Sequence, residues 1–175
     1  DVRINVMDAP GNFDFSGEAV SAIRAAECAV LVGAAKDGLS VGMERSWKLL
    51  GKKPRMIFVN RTDEDNSDYN ATFEALRARF GNKIAPLVVP IWDEGKKVTG
   101  IIDVLNKRAY EMQDQKRVEI EIPEGKDAVI EEFNNALKES VAETSEEFMD
   151  KFFGGEDFTY AEMIQGLRQG VRELS

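Results

Sequence analysis

The start of the chain changes between strand and helix periodicity. Apolar and polar residues alternate over residues 2–7, which predicts a strand with one buried face. Val20, Ile23 and Ala26 follow at helical spacing, and the continuous apolar run 29–32 is typical of a buried parallel strand. The order strand, helix, strand predicts a parallel sheet with right-handed crossovers.

The same succession of helical spacing and a strand-like apolar run recurs twice more along the chain. Ser40 and Asp68 are each predicted to cap a helix, since both residue types accept hydrogen bonds from free helix amides. Each helix precedes an apolar run, residues 56–59 and 86–90, that predicts a further parallel strand. Large apolar residues at helical spacing give these helices their core faces: Met43, Trp47, Leu50, Phe73, Leu76 and Phe80.

The pattern changes after residue 90. Residues 98–104, 108–112 and 118–122 predict an antiparallel meander, and the chain beyond Pro123 is predicted to be helical. We therefore predict an α/β fold with two units, residues 1–92 around the parallel sheet and a smaller α+β unit over residues 93–175.

Helix ends and helix faces are marked in this second unit. Residues 144–147 and 159–162 match the capping box, and two glycines at 154–155 end the helix between them. Two apolar stripes are predicted to be core faces. They consist of Val129, Phe133, Ala136, Leu137 and Val141, and of Tyr160, Met163, Ile164, Leu167, Val171 and Leu174.

Composition indicates a soluble globular chain. The 175 residues carry 23 Lys plus Arg against 32 Asp plus Glu, a net charge of -9, and 43% are hydrophobic. The acidic balance, with a pI near 4.7, argues against a broad nucleic-acid-binding face. The longest nearly apolar run, residues 28–35, is too short to span a membrane.

The chain has no histidine, which excludes imidazole bases and nucleophile systems that need them. Its chemistry must depend on carboxylates, backbone amides or a bound ion. The single cysteine, Cys28, cannot form an intrachain disulfide, which favours a reducing, cytoplasmic setting. We predict that Cys28 is a small core residue because an apolar run follows it.

Two loops at the carboxyl ends of predicted strands carry candidate chemistry, because ligands of open parallel sheets bind at that edge. The first is Asp8-Ala9-Pro10-Gly11. An aspartate that ends a buried strand can hold Mg²⁺ through water, and a glycine beside it lets a backbone amide approach a phosphate.

The second loop is Asn60-Arg61-Thr62-Asp63. The Asp63 carboxylate can accept hydrogen bonds from the N1–H and 2-amino groups of guanine, which adenine lacks. Asn60 and the long stem of Arg61 would brace the base. Taken alone, the loop is better explained as a polar turn.

The two loops in this order, separated by helix, strand and helix, resemble the magnesium and base loops of guanine-nucleotide-binding proteins. The chain as a whole resembles part of the GTPase domain of translation elongation factor G. The resemblance extends over almost the whole chain, and the segments that carry it are residues 4–15, 58–63, 100–103, 139–144 and 147–149.

This resemblance implies a partial P-loop-GTPase-like parallel sheet with helices on both faces in residues 1–92, and the family's inserted subdomain in residues 93–175. It implies GTP or GDP with Mg²⁺ as ligands, and the ribosome and its stalk protein as partners in translocation. Asp8 would hold Mg²⁺ through water, the Gly11 amide would meet the γ-phosphate, and Asn60, Arg61 and Asp63 would hold guanine.

Three departures from the family pattern bear on activity. Asn12, Ala9 and Arg61 stand where the family usually has His, Thr and Lys. By analogy with the removal of one transition-state contact, Asn12 in place of the water-orienting His would cost about 10² to 10³ in rate. Arg61 keeps a long stem and a flat group, so guanine recognition is expected to survive.

Two other hypotheses stay open. The first is a nucleotide- or ribosome-binding switch with impaired hydrolysis, which Asn12 favours. The second is an unrelated doubly wound domain whose loops match by accident.

A phosphate loop is missing from the sequence. Residues 33–40 have the glycine spacing of such a loop, but Leu39 stands where its lysine must be. The resemblance implies that the phosphate loop precedes Asp1, that another base-contacting loop follows Ser175, and that a strand between residues 2–7 and 29–32 is absent. We expect the isolated chain to lack useful GTPase activity and either to close its sheet or to self-associate through the unpaired edges.

Overall fold

Helices and strands alternate along a computed structural model that describes residues 2–93, 97–114 and 116–172. The helices are α1 Ser16–Ala25, α2 Val41–Leu50, α3 Tyr69–Phe80, α4 Asp127–Ala142, α5 Glu146–Phe153 and α6 Tyr160–Arg172. The strands are β1 Ala29–Ala34, β2 Arg55–Asn60, β3 Val88–Trp92, β4 Val98–Asp103, β5 Arg108–Gln113 and β6 Lys116–Ile120. Short 3₁₀ turns cover Phe13–Phe15 and Ala35–Asp37.

The predicted helix caps of α2 and α3 are confirmed. The Ser40 Oγ accepts a hydrogen bond from the Met43 amide at 3.2 Å, and the Asp68 Oδ1 accepts one from the Ala71 amide at 2.9 Å. Each bond satisfies one of the amides that a helix start leaves free, so these two residues fix where α2 and α3 begin.

One of the two predicted capping boxes forms as expected. Thr159 and Glu162 bond reciprocally, with the Thr159 amide donating to the Glu162 carboxylate at 2.6 Å and the Glu162 amide donating to the Thr159 hydroxyl at 3.3 Å. At the start of α5 the cap is shifted by one residue. Ser145, not Thr144, accepts from the Phe148 amide at 3.2 Å, and the Thr144 hydroxyl donates back to the Val141 carbonyl.

The parallel sheet consists of β1 and β2. The two strands pair in parallel from Ala29 opposite Arg55 to Ala34 opposite Asn60, which confirms the predicted parallel pairing. Helix α2 packs on one face, where the Met43 side chain reaches Gly33 so closely that a Cβ there would lie 2.3 Å from it. A larger residue at position 33 would therefore require the flexible end of the Met43 side chain to move.

The opposite face of this sheet is uncovered in the part of the chain that the structure describes, so the prediction that residues 29–32 and 56–59 are strands buried on both faces is wrong for this face. Four apolar side chains from alternate positions of the two strands point away from α2, and between 53% and 63% of each is exposed: Val30, Val32, Met56 and Phe58. Val30 lies opposite Met56 and Val32 opposite Phe58, so the four form one continuous patch, which we call the outer sheet face.

The strand predicted over residues 2–7 does not form. These residues have no regular structure, and the apolar side chains meant for its buried face are exposed, 90% for Val2 and 87% for Val6. Alternation in a sequence indicates a face that could be buried, but a strand also needs a neighbour for its backbone hydrogen bonds. Within the described residues β1 pairs with β2 alone, so this segment has no such neighbour.

The prediction for residues 86–90 is correct about a strand but wrong about its parallel pairing. The strand here is β3, and it pairs antiparallel with β4 at one end of a four-stranded sheet in the order β3-β4-β5-β6. The meander predicted for the other three strands is confirmed. The pattern of apolar residues showed that β3 is a strand but could not show its partner, which the short connection to β4 decides.

One hydrophobic cluster joins the two parts of the chain, and we call it the central core. It consists of Tyr69, Phe73, Val89, Val104, Phe133, Ala136, Leu137, Val141, Phe148 and Met163. The Phe133 ring of α4 contacts two rings of α3 edge-on, with its centroid 6.2 Å from Tyr69 and 5.2 Å from Phe73. The core is thus continuous across residue 92, where the boundary between units stays a prediction.

Three further residues that were predicted to be buried are also exposed. Cys28 is exposed, because it lies in the turn before β1 and not in the strand itself. On α6, Tyr160 and Val171 are 59% and 43% exposed, since they lie near the two ends of the helix, while Met163 between them is buried. Leu174 lies outside the described residues.

No helix of the described ranges has both the length and the apolar character that a membrane crossing requires.

The central core predicts a large cost for truncating Leu137, whose side chain is fully buried. Leu137→Ala should lower the free energy of unfolding by about 2–5 kcal/mol, since it removes buried contacts and leaves a cavity. Urea denaturation followed by circular dichroism measures this change. The matched control is Leu49→Ala on α2, where the side chain is 42% exposed and the expected loss is below about 1 kcal/mol. Equal losses in the two variants would contradict the assignment of the core.

Candidate functional site

The connection between β2 and α3 starts at Asn60, at the carboxyl edge of the parallel sheet. We call residues 60–67 the β2–α3 loop. Two of its residues have left-handed backbone conformations, Arg61 with φ of +56° and Asn66 with φ of +62°. Asparagine adopts this conformation readily, whereas for arginine it is unusual and mildly strained. The loop therefore depends on contacts that hold it in shape.

Hydrogen bonds to backbone carbonyls provide such contacts. The Thr62 carbonyl accepts from the Ser67 hydroxyl at 2.8 Å and from the indole Nε1 of Trp92 at 3.4 Å. Two backbone bonds add tight turns, from the Glu64 amide to the Arg61 carbonyl and from the Ser67 amide to the Glu64 carbonyl. The loop is thus closed on itself and tied to β3.

Charged side chains link this loop to the neighbouring one. The Glu64 carboxylate lies 3.4 Å from the Arg61 guanidinium and 3.4 Å from the Lys36 ammonium, which follows β1. Exposed ion pairs of this kind contribute little stability. Their consequence is geometric, because they join the connections that follow two adjacent strands at one edge of the sheet.

The candidate recognition groups remain accessible. Asn60, Arg61 and Asp63 are exposed, and the Asp63 carboxylate accepts no hydrogen bond from the residues that the structure describes. An exposed, negatively charged acceptor on a loop that is fixed through its backbone is able to bind a planar group that has two adjacent N–H donors.

Helix α3 holds the far end of the loop. Tyr69, the first residue of α3, is buried, and its hydroxyl donates to the Val88 carbonyl of β3 at 3.1 Å. Burial raises the pKa of Tyr69 to about 12, so the phenol keeps its proton and this bond at neutral pH. The Thr72 hydroxyl lies 2.8 Å from the Ala35 carbonyl, which connects α3 to the end of β1.

The other predicted loop is less constrained. Asp8, Pro10 and Gly11 are exposed and Ala9 is half-buried, in a stretch without regular structure. Because residues 2–7 are not part of the parallel sheet, the sheet by itself does not bring Asp8 to the edge where Asp63 lies. The joint action of these two carboxylates on one ligand stays a prediction.

Asn12 has a local structural role. Its Oδ1 accepts a hydrogen bond from the Asp14 amide at 3.4 Å and so caps the 3₁₀ turn Phe13–Phe15. The Phe13 ring lies under the guanidinium of Arg45, with the carbon of that group 5.2 Å from the ring centroid. The turn that follows the Asp8 loop is therefore docked against α2.

Comparison with known proteins identifies the family. The model of the elongation factor Tu GTP binding domain matches residues 1–166. The chain belongs to this family. An elongation factor G-like protein of Thermotoga maritima is 31% identical over 173 residues, a match that covers 98% of this chain and 25% of that protein. A crystal structure of a Thermus thermophilus protein matches with a TM-score of 0.85 and 33% identity, over 95% of this chain and 25% of that one.

The resemblance to the GTPase domain of elongation factor G, and the mixed α/β architecture that it implies, are thus confirmed. The chain spans about a quarter of the length of these two relatives.

Membership in a GTP-binding domain family implies a guanine nucleotide, with which Mg²⁺ usually binds. Within the described residues no three acidic or cysteine side chains come close enough to form a metal site on their own. The donor set fits Mg²⁺ nevertheless, because this ion commonly takes one carboxylate together with water and ligand phosphates. Asp8, exposed and without a protein partner among the described residues, offers that single carboxylate.

Sequence reasoning missed the residues that support the β2–α3 loop. Glu64 could have been found, since it follows Arg61 by three residues and has the opposite charge. Ser67 and Trp92 gave no such signal. Trp92 contacts Thr62 over thirty positions of sequence, and only the path of β3 brings the two residues together.

Proposed function

We propose that this chain is the guanine-nucleotide-binding part of a translational GTPase that resembles elongation factor G. Residues 1–92 would be the partial GTPase domain and residues 93–175 its inserted subdomain. The proposal depends above all on one observation: the β2–α3 loop presents Asn60, Arg61 and Asp63 accessibly at the carboxyl edge of a parallel sheet, in a chain of the elongation factor Tu GTP binding domain family.

Guanine fits this loop through its hydrogen-bonding edge. The Asp63 carboxylate would accept from N1–H and from the 2-amino group, two donors that adenine does not have. With adenine in place of guanine the carboxylate would be covered and left unpaired, which gives strong selectivity. The Arg61 guanidinium and its stem would lie on the base, and the Asn60 amide would bond to its edge.

The phosphate end would be held by the Asp8–Gly11 stretch. Asp8 would bind Mg²⁺ through water, and the ion, when bound, neutralises charge on the phosphate oxygens. No atom lies within 4 Å of the place where a Gly11 side chain would begin, so a phosphate oxygen can approach its amide. Ala9 and Pro10 would complete this stretch.

Guanine selectivity can be tested by Asp63→Asn. The carboxamide of asparagine offers one acceptor and one donor, so it cannot accept from both guanine donors. The experiment uses the full-length GTPase of which we propose this chain is a part, here called the longer protein. Its affinity for GDP should fall at least about 10-fold in Asp63→Asn. Xanthosine diphosphate, which has an oxygen in place of the 2-amino group, should bind this variant more tightly than it binds the unmodified protein. Calorimetric titration measures both.

The matched control for this experiment is Asp65→Asn, in the same loop and also exposed. It should leave GDP affinity within about 2-fold of the unmodified protein. If Asp63→Asn bound GDP as tightly as the control does, the proposed base loop would be wrong.

The second candidate function is a nucleotide- or ribosome-binding switch with impaired hydrolysis. The observation that favours it is Asn12, whose side-chain oxygen is engaged in capping the Phe13–Phe15 turn. An asparagine held in this way reaches less far than a histidine and cannot act as a base at neutral pH.

Ribosome-stimulated GTP turnover of the longer protein separates the two functions. If Asn12 limits hydrolysis, Asn12→His should raise the turnover rate by about 10²-fold or more, whereas Asn135→His on the exposed face of α4 should not. Unmodified protein that already hydrolyses GTP as fast as the Asn12→His variant would eliminate the switch. We expect no useful turnover from the 175-residue chain alone.

The ribosome is the proposed partner, and the cytoplasm the proposed location. The stalk protein would bind the inserted subdomain, for which the net charge of -9 favours a protein surface over RNA. Two aromatic side chains near the ends of α5 and α6 are available for such a contact, Phe153 with 79% and Tyr160 with 59% exposure.

We also propose that the isolated chain self-associates through its outer sheet face. A patch of four apolar side chains beside unpaired strand edges favours burial against a second copy. Phe58→Asp, in the middle of that face, should therefore shift the chain from dimer toward monomer in light scattering. Phe153→Asp removes an aromatic ring that is even more exposed but lies on α5, and it should leave the mass unchanged. A monomeric unmodified chain would contradict the proposal.

A further inference from the structure

We propose that Trp92, which lies outside the nucleotide loops, is a positioning residue that sets the shape of the β2–α3 loop and so contributes to guanine selectivity. The part of this proposal that concerns guanine rests on the proposed function. The part that concerns the loop rests on geometry alone.

The contact occurs at the centre of the recognition loop. Trp92 donates its indole N–H to the Thr62 carbonyl at 3.4 Å. Thr62 lies between Arg61 and Asp63, so the orientation of its peptide group determines where both neighbouring side chains point. Ser67 donates to the same carbonyl, but it belongs to the loop and moves with it. Among these contacts Trp92 is the one that connects this carbonyl to another element of the fold.

The loop needs such a connection because its other hydrogen bonds, from Ser67 and from its own backbone, hold the loop only to itself. Arg61 has a left-handed backbone, a conformation that is unfavourable for a residue with a side chain. Its ion pair with Glu64 is exposed to water, and water screens that attraction. The Trp92 bond is partly buried and does not depend on salt.

The pairing of β3 with β4 is irregular beside the indole. Ile91 lies opposite Gly100 and Trp92 opposite Val98, so Thr99 of β4 is an extra residue at this point, as in a β-bulge. Trp92 packs against the central core, whereas Ile91 belongs to a second cluster with Ile102, Ala109 and Ile130. The Trp92 ring lies 6.2 Å from that of Tyr69.

Both ends of the loop are attached to the same core. Val59, which precedes Asn60 in β2, packs against it, and Tyr69, which follows the loop, is part of it. Trp92 adds a third attachment at the middle of the loop. A change in the packing of α4 or β3 would therefore reach Asp63 through this indole, which couples the predicted inserted subdomain to the base loop.

The first test uses the 175-residue chain without nucleotide. The chain has two tryptophans, and both are partly buried. Trp47, which stacks on Phe80 at 4.0 Å, donates no hydrogen bond from its indole within the described residues. In hydrogen exchange followed by NMR, the indole N–H of Trp92 should exchange at least several-fold more slowly than that of Trp47. Equal exchange rates would overturn the proposal.

The second test uses Trp92→Phe, which keeps an aromatic ring and removes the N–H donor. Backbone amides of residues 61–67 should exchange several-fold faster than in the unmodified chain, with Trp47→Phe as the control that leaves them unchanged. Unchanged amide exchange in Trp92→Phe would overturn the proposal. If this variant unfolds, the indole measurement on the unmodified chain still decides.

The third test concerns selectivity in the longer protein. Trp92→Phe should weaken GDP binding by about 2- to 10-fold, the loss expected for one hydrogen bond. It should weaken the binding of inosine diphosphate, which lacks the 2-amino group, by a smaller factor. The ratio of the affinity for GDP to the affinity for inosine diphosphate should therefore decrease. Equal weakening of the two nucleotides would overturn the role in selectivity. If the unmodified protein binds neither nucleotide, the proposed function is wrong. The hydrogen-exchange measurements would still test whether Trp92 positions the loop.

Discussion

The edge-on contacts of Phe133 with Tyr69 and Phe73 are the packing on which the rest of the structure depends. They join α3, which follows the parallel sheet, to α4, which follows the antiparallel one. Buried aromatic pairs contribute both their area and a preferred geometry, so they fix the relation between two helices. The β2–α3 loop inherits its position from this packing, because its chain enters and leaves at Val59 and Tyr69 on the same core.

The candidate site combines a rigid backbone with free side chains. Ser67 and Trp92 bond to the carbonyl of Thr62, whereas Asn60 and Asp63 keep their polar groups available. Such a division suits recognition, because a preorganised loop loses little conformational entropy when a ligand binds. The phosphate-side stretch around Asp8 lacks this support in the described chain, so the two halves of the proposed nucleotide site differ in how firmly they are built.

The parallel sheet has an apolar face that the described residues do not cover. Its inner face is covered by α2, but its outer face exposes Val30, Val32, Met56 and Phe58, and residues 2–7 extend without a partner strand. Exposed apolar side chains and unpaired strand edges favour contact with further protein. That property agrees with a chain spanning about a quarter of its relatives' length, and it is the physical basis for expecting self-association when the chain is alone.

The sequence by itself determined the local structure: the helices capped by Ser40, Asp68 and Thr159, the meander of β4 to β6, and the loop chemistry of Asn60 to Asp63. These features depend on neighbouring residues, so periodicity and capping rules were enough. Only the tertiary structure decided that β3 pairs antiparallel, that residues 2–7 have no partner, and that Trp92 reaches Thr62. Each of these depends on which distant segments meet, and a hydrophobic pattern specifies that a surface is buried without specifying what covers it.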